Sequence, residues 1–162
     1  MTPNPPALVV RAVRSAADLE ALRNLFTEYA QSLNFSLCFQ GFDEELATLP
    51  GKYAPPAGNA WLAEVDGRLA GCVAVRPLER DICEMKRLFI RGGYRGLKLG
   101  RALAETTLEF ARRAGYRAMR LDTVETMLAA MSVYRTLGFV EIPAYYDNPL
   151  PGVHYFEKRW ES

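Results

Sequence analysis

The chain has 162 residues, 49% of them hydrophobic and 24% charged, which are values of a folded globular domain rather than of a disordered or low-complexity segment. Twenty Lys+Arg against nineteen Asp+Glu leave a net charge of +1, so there is no broad electrostatic footprint for nucleic acid. The three cysteines (Cys38, Cys72 and Cys83) form no Cys-x-x-Cys pair and His154 is the single histidine, which argues against a zinc site and against a disulfide framework.

No apolar run reaches membrane-spanning length, and the N-terminus lacks the basic region and apolar stretch of a signal peptide. The expectations are therefore a cytoplasmic protein with reduced, buried thiols, no metal, and no nucleic-acid or membrane partner. Proline-rich residues 1–6 read as a frayed tail, leaving residues 7–162 as a single domain.

Taken in order, residues 7–13 read as a first strand. Ser15, with Asp18 three residues on, marks the N-cap of a helix that runs to about residue 32. Its stripe of Leu19, Leu22, Leu25, Phe26, Tyr29 and Leu33 is a core-facing pattern. Residues 34–56 are the least regular part, with Phe35, Phe39, Phe42 and Tyr53 set among polar residues and a short helix at 43–49. Two short strands, 59–65 and 68–75, meet at Asp66-Gly67, a dipeptide favoured in two-residue hairpins. A turn at 78–81 leads into a strand from Ile82 to Ile90, whose alternation predicts Ile82, Glu84, Lys86, Leu88 and Ile90 on one face and Cys83, Met85, Arg87 and Phe89 on the other.

Gly92, Gly93 and Gly96 break this strand. From Leu99 the apolar residues recur at helical spacing, so a helix is predicted from near residue 97 to about 114, with Gly115 as its stop. A helix start offers free N–H groups and the positive end of its dipole, which suits a pyrophosphate, and Arg95, Lys98 and Arg101 add positive charge there. A strand at 117–123, a helix at 125–137 closed by Gly138, a strand at 139–142, a polar and aromatic loop at 143–152 and a final strand at 153–160 complete the chain. This order predicts an α/β (α+β) architecture: a mixed, mostly antiparallel sheet of about seven strands with helices on both faces.

The turn is neither a Walker loop nor a Gly-x-Gly-x-x-Gly fingerprint. Arg95-Gly96-Leu97-Lys98-Leu99-Gly100 resembles the acetyl-CoA-binding motif of the GCN5-related N-acetyltransferase superfamily, Arg/Gln-x-x-Gly-x-Gly/Ala, with Lys98 in place of the middle glycine. Leu88-Phe89-Ile90 is similar to the apolar strand end that precedes that motif. Val133-Tyr134-Arg135-Thr136-Leu137-Gly138-Phe139 resembles the superfamily's Leu-Tyr-x-x-Leu-Gly-Phe signature. The resemblance implies acetyl-CoA as cosubstrate, bound by residues 88–90 and 95–101 where two parallel strands splay apart, and an N-acetyltransferase acting on a small-molecule or peptide amine. It also implies that homodimers are common. An asparagine often opens the last helix in relatives, where Met127 stands here.

Acetyl transfer to an amine needs the ammonium proton removed, because lysine-like amines have a pKa near ~10.4. Glu84 precedes Leu88 by the interval that the general-base glutamate has in the histone-modifying branch, and is the candidate base; the alternative is an ion pair with Lys86 or an arginine. Tyr134 is the candidate acid for the departing thiolate, as the resemblance implies, and a backbone N–H of residues 88–90 would polarise the thioester carbonyl. A Ser-His-Asp hydrolase would have to use His154, yet no Gly-x-Ser-x-Gly elbow exists. In the superfamily the region between the first strand and the second carries acceptor recognition, which points to Phe39 and Gln40; Tyr146, with the neighbouring Tyr145, Asp147 and Asn148, is a candidate for the acceptor wall, and His154 is either a structural or an acceptor-site residue. A non-catalytic acyl-CoA sensor that keeps the phosphate turn is the alternative reading.

Overall fold

The computed structural model describes residues 5–33, 37, 41–96, 98–124 and 127–160. Seven strands form one sheet in the order β1-β2-β3-β4-β5-β7-β6, with β1 at Leu8–Ala12, β2 at Asn59–Val65, β3 at Arg68–Glu79, β4 at Ile82–Ile90, β5 at Ala118–Val124, β6 at Val140–Ile142 and β7 at Val153–Arg159. Every neighbouring pair is antiparallel except β4 and β5. The architecture is the mixed sheet flanked by helices that the sequence predicts.

Helix α1, Ala16–Ser32, starts at a capping box in which the Ser15 hydroxyl accepts from Asp18 N at 3.1 Å and the Asp18 carboxylate accepts from the backbone N–H of Ser15. Its Leu22, Leu25 and Phe26 are fully buried and pack with Cys72 and Ala74 of β3 and with Phe42, which opens the short α2, Phe42–Ala47. Burying each such side chain stabilises the fold by roughly 1.5–3 kcal/mol. The opposite face carries α3, Leu99–Arg113, whose Leu99, Leu103, Ala104 and Ala111 lie against Val73, Val75, Cys83 and Met85, together with α4, Leu128–Thr136.

The β2–β3 hairpin turns at Asp66 and Gly67 with φ of 50° and 79°, the two positive values a tight two-residue turn demands. Strand β3 runs four residues beyond the predicted end at Val75, because Arg76, Pro77 and Glu79 still pair with β4. Helix α3 starts at Leu99 and α4 at Leu128, later than the sequence predicts; Leu97, Glu125 and Thr126 lie outside the described residues.

The alternation predicted for β4 breaks at Arg87. Cys72 pairs with Phe89 but Ala74 with Lys86, so β4 holds one residue more than β3 over this stretch, and Arg87 adopts φ 62°. The bulge places Leu88 and Ile90 on the α3 side with Cys83 and Met85, while Phe89 packs on the α1 side. It has its own support: the Cys72 thiol donates to the Arg87 carbonyl at 3.4 Å. Gly71 is required beside it, since a Cβ there would stand 2.5 Å from the Phe89 carbonyl oxygen. Cys72 and Cys83 are both free and buried, and burial pushes the Cys83 thiol up to about 12. Cys38 lies outside the described residues.

Candidate active site

Strands β4 and β5 pair in parallel only through Ile82–Ala118, Cys83–Met119 and Glu84–Arg120. Beyond Glu84 both continue without pairing, to Ile90 and Val124. They enclose a cleft of about 70 Å³ lined by Lys86 and Leu88 from β4, Asp122 and Thr123 from β5, and Met127 and Tyr134 at α4. The physical cause is local: the bulge at Arg87 turns β4 just past the last shared pair. On its β5 side, β4 beyond Glu84 has no strand to take its backbone groups, so an N–H in this stretch is available to a ligand carbonyl.

Past the end of β4 the chain turns into the start of α3. A 3-10 turn at Gly92–Tyr94 and Gly96 at φ +84° reverse the chain, and Lys98 caps the helix in the left-handed conformation at φ 62° without a side-chain hydrogen bond. The first helical bond is Ala102 N to Lys98 O at 3.1 Å, so the amides of Leu99, Gly100 and Arg101 precede the ladder and are open to an anion. Arg95 and Lys98 are exposed there. The Arg101 guanidinium is engaged, donating to Glu105 at 2.7 Å and to the Thr136 hydroxyl at 3.1 Å, and so ties α3 to α4.

Tyr134 is 5% exposed and wedged between the rings of Phe139 at 5.8 Å and Phe156 at 6.2 Å. Burial drives its hydroxyl far above the ordinary phenol value, so it stays protonated and able to donate. Across the cleft wall, Thr123 Oγ1 is buried and has no hydrogen-bond partner among the described residues. An unpaired buried hydroxyl costs roughly 1–3 kcal/mol, so a polar ligand that reaches it recovers binding energy.

Glu84 is 1% exposed and both of its oxygens are taken. Arg76, opposite it on β3, donates Nε to Oε1 at 2.9 Å, and the Tyr145 hydroxyl donates to Oε2 at 2.6 Å. The ion pair anticipated as an alternative is thus formed with an arginine, and Glu84 stands at the root of the cleft rather than in its lining. Tyr145 belongs to a cluster of three rings with Tyr146 and Tyr155, spaced 5.3–5.7 Å apart. Tyr146 donates to Asp122 at 2.7 Å, so the loop after β6 is fastened to both Glu84 and the cleft wall. Lys86 is 6% exposed and burial lowers its pKa.

The structure therefore brings Tyr134 and Leu88 onto one cleft, sets Glu84 at its root and ties Tyr146 to Asp122 of its wall, while the α3 turn follows β4 in the chain and contributes no lining residue. His154 is placed apart, with Nδ1 3.1 Å from Glu141 of β6, and it does not line the cleft. Phe89 packs on the α1 side against Tyr29 at 5.9 Å. Phe39, Gln40 and Leu97 lie outside the described residues. Sequence reasoning missed Arg76, Asp122 and Thr123. Asp122 carried a usable signal, a carboxylate between apolar Leu121 and Val124 in a strand, whereas the partnership of Arg76 with Glu84 depends on the β3–β4 register.

A model of the Acetyltransferase (GNAT) family matches residues 19–139. An uncharacterised N-acetyltransferase of Schizosaccharomyces pombe is 40% identical over 153 residues, covering 93% of this chain and 94% of that protein. The human N-acetylaspartate synthetase is 34% identical over 111 residues, which are 67% of this chain and 37% of that protein. A Salmonella typhimurium structure solved with its cofactor acetyl-CoA superposes with a TM-score of 0.73 at 17% identity, over 94% of each chain. The chain belongs to the acetyltransferase (GNAT) family and is an acetyltransferase enzyme.

Proposed function

We propose that the protein transfers the acetyl group of acetyl-CoA directly to a primary amine of a small molecule or peptide. The observation that carries this reading is the cleft between the parting ends of β4 and β5, which Tyr134 lines, together with the uncapped start of α3 that follows the turn after β4. The amides of residues 99–101 would hold the pyrophosphate, with Arg95 and Lys98 beside it, and Thr123 Oγ1 would pair with an amide of the pantetheine arm. Acetyl-CoA supplies the activated acyl group and a sulfur leaving group. The residues of the chain do the rest: a β4 backbone N–H beyond Glu84 polarises the acyl carbonyl, and the Tyr134 hydroxyl donates to the departing sulfur. The amine's proton passes to the Glu84 carboxylate through the Tyr145 hydroxyl, which gives its own proton to Oε2 as it accepts the new one.

The test is thiol release from acetyl-CoA with a panel of polyamines, aminoglycosides, amino acids and peptide N-termini. Turnover on at least one amine, with the acetylated amine found by mass spectrometry, is expected. Coenzyme A binding without turnover on any of them would contradict the reading.

A further inference from the structure

A second cavity, of about 260 Å³, lies between α2, the 3-10 turn at Gly51–Tyr53 and β3. It is large enough for a small organic ligand rather than for one water, whose share of liquid volume is about 30 Å³. Two donors stand in its wall. Tyr53 is 3% exposed, its ring fixed edge-on to Phe26 at 5.9 Å, and its hydroxyl is buried without a hydrogen-bond partner among the described residues. Arg76 commits Nε and Nη2 to Glu84 Oε1, each at 2.9 Å, which leaves the Nη1 end of the fork as its further donor. Gly58 seats this wall: a Cβ there would meet Lys52 O at 2.4 Å and Val75 O at 2.7 Å, so the segment after Tyr53 lies directly on β3.

Of the acidic side chains in the wall, Glu45 acts on both Tyr53 and Arg76. Its own charge is held by Arg87 through two bonds of 3.0 Å, and Glu44 and Lys52, of opposite charge, are both exposed. A buried tyrosine hydroxyl and the free end of a guanidinium, both in the wall of one partly open cavity, match a carboxylate. Arg76 joins that space to Glu84, the residue at the root of the candidate acetyl-transfer cleft.

We propose that this cavity binds the carboxylate of the acceptor, which makes the substrate class amino acids or other amines that carry a nearby carboxylate. Arg76 and the Tyr53 hydroxyl hold the carboxylate, and the Arg76–Glu84 pair fixes the distance from it to the proton acceptor. This rests on the reading of the protein as a direct-transfer N-acetyltransferase.

The test compares L-alanine, L-aspartate, L-phenylalanine and L-lysine with their α-amides. In kinetics with acetyl-CoA, the wild type should favour at least one acid over its amide by about tenfold or more in kcat/KM, the discrimination a charge-assisted hydrogen bond supplies. Tyr53→Phe, which removes one oxygen and keeps the ring, should cut that ratio, the acid's kcat/KM falling further than the amide's. Arg76→Gln should bring the ratio close to one. A wild-type ratio at or below one for all four pairs, or a ratio untouched by both variants, overturns the proposal. Calorimetric titration of the same compounds into protein saturated with coenzyme A keeps the two readings apart. Tighter binding of the acid, lost in Tyr53→Phe, sustains the carboxylate site even if no turnover occurs, whereas equal binding of acid and amide refutes it even if turnover does.

Discussion

The Tyr145 hydroxyl donates to Glu84 across 2.6 Å, and it reaches that carboxylate from the loop between β6 and β7, 61 residues away in the chain. With Arg76 on the other oxygen, Glu84 is held in one rotamer at the last residue before β4 and β5 part. A carboxylate so buried receives a proton only through a neighbour, and Tyr145 is the neighbour with a proton to exchange. Glu84→Gln should flatten the rise of kcat/KM with pH and lower it by roughly 10²–10⁴, the range of general-base catalysis. Tyr145→Phe should lower kcat/KM and flatten the same rise, because the buried carboxylate then lacks the neighbour through which it takes the proton. The pH profiles of both variants check this, and an unaltered profile in Glu84→Gln removes the residue from the chemistry.

Tyr134 lies between two aromatic rings, so its loss of a hydroxyl leaves packing intact. Tyr134→Phe should reduce kcat by roughly 10²-fold as a lost general acid while the dissociation constant of coenzyme A moves little. Rapid-quench kinetics and calorimetry measure the two quantities separately. A loss confined to binding would mean that the ring, not the hydroxyl, serves the site.

Lys98 occupies a left-handed conformation at the start of α3, where the family motif has glycine. A non-glycine residue in that region costs roughly 1–2 kcal/mol. Lys98→Gly relieves this cost but adds chain entropy to the unfolded state worth roughly 0.5–1 kcal/mol, so stability should rise by no more than about 1.5 kcal/mol in urea unfolding. Coenzyme A should bind more weakly and with a smaller dependence on salt, because one exposed cation near the phosphates is gone.

The Asp18 carboxyl is lowered from 3.8 to about 2, chiefly by the hydrogen bond from Arg11 and then by that from the Arg14 backbone. A folded value below the unfolded one means that the unfolded chain binds more protons between the two, so stability rises with pH in that window. The contribution is fully present above pH 4 and is lost as the pH falls through about 2. The gap between wild type and Asp18→Asn in urea midpoint should therefore be constant from pH 7 to 5 and close between pH 4 and 2. Ser15→Ala should cost about 1 kcal/mol at neutral pH through the same cap.

Most of the fold was legible in the sequence because it rests on local signals. Ser15 and Asp18 announced α1, Asp66-Gly67 its hairpin, and Gly96 with Gly115 bounded α3. The bulge was not legible: the pattern from Ile82 to Ile90 alternates on paper, and only the pairing of Cys72 with Phe89 and Ala74 with Lys86 shows that one residue is extra. The candidate site divides in the same way. Tyr134 and the α3 turn sit inside contiguous motifs, whereas Arg76, Tyr145 and Asp122 acquire their roles through contacts between distant elements, to which local periodicity is blind. His154 stood out only by being the sole histidine, and its bond to Glu141 belongs to the sheet edge.

The most direct measurement is a crystal structure of the protein with coenzyme A. The pyrophosphate should lie on the amides of residues 99–101, the pantetheine arm should run between β4 and β5 past Thr123, and the sulfur should stand within hydrogen-bonding distance of the Tyr134 hydroxyl. Coenzyme A bound elsewhere, or a sulfur remote from Tyr134 with the cleft closed, would contradict the assignment of this cleft to acetyl transfer.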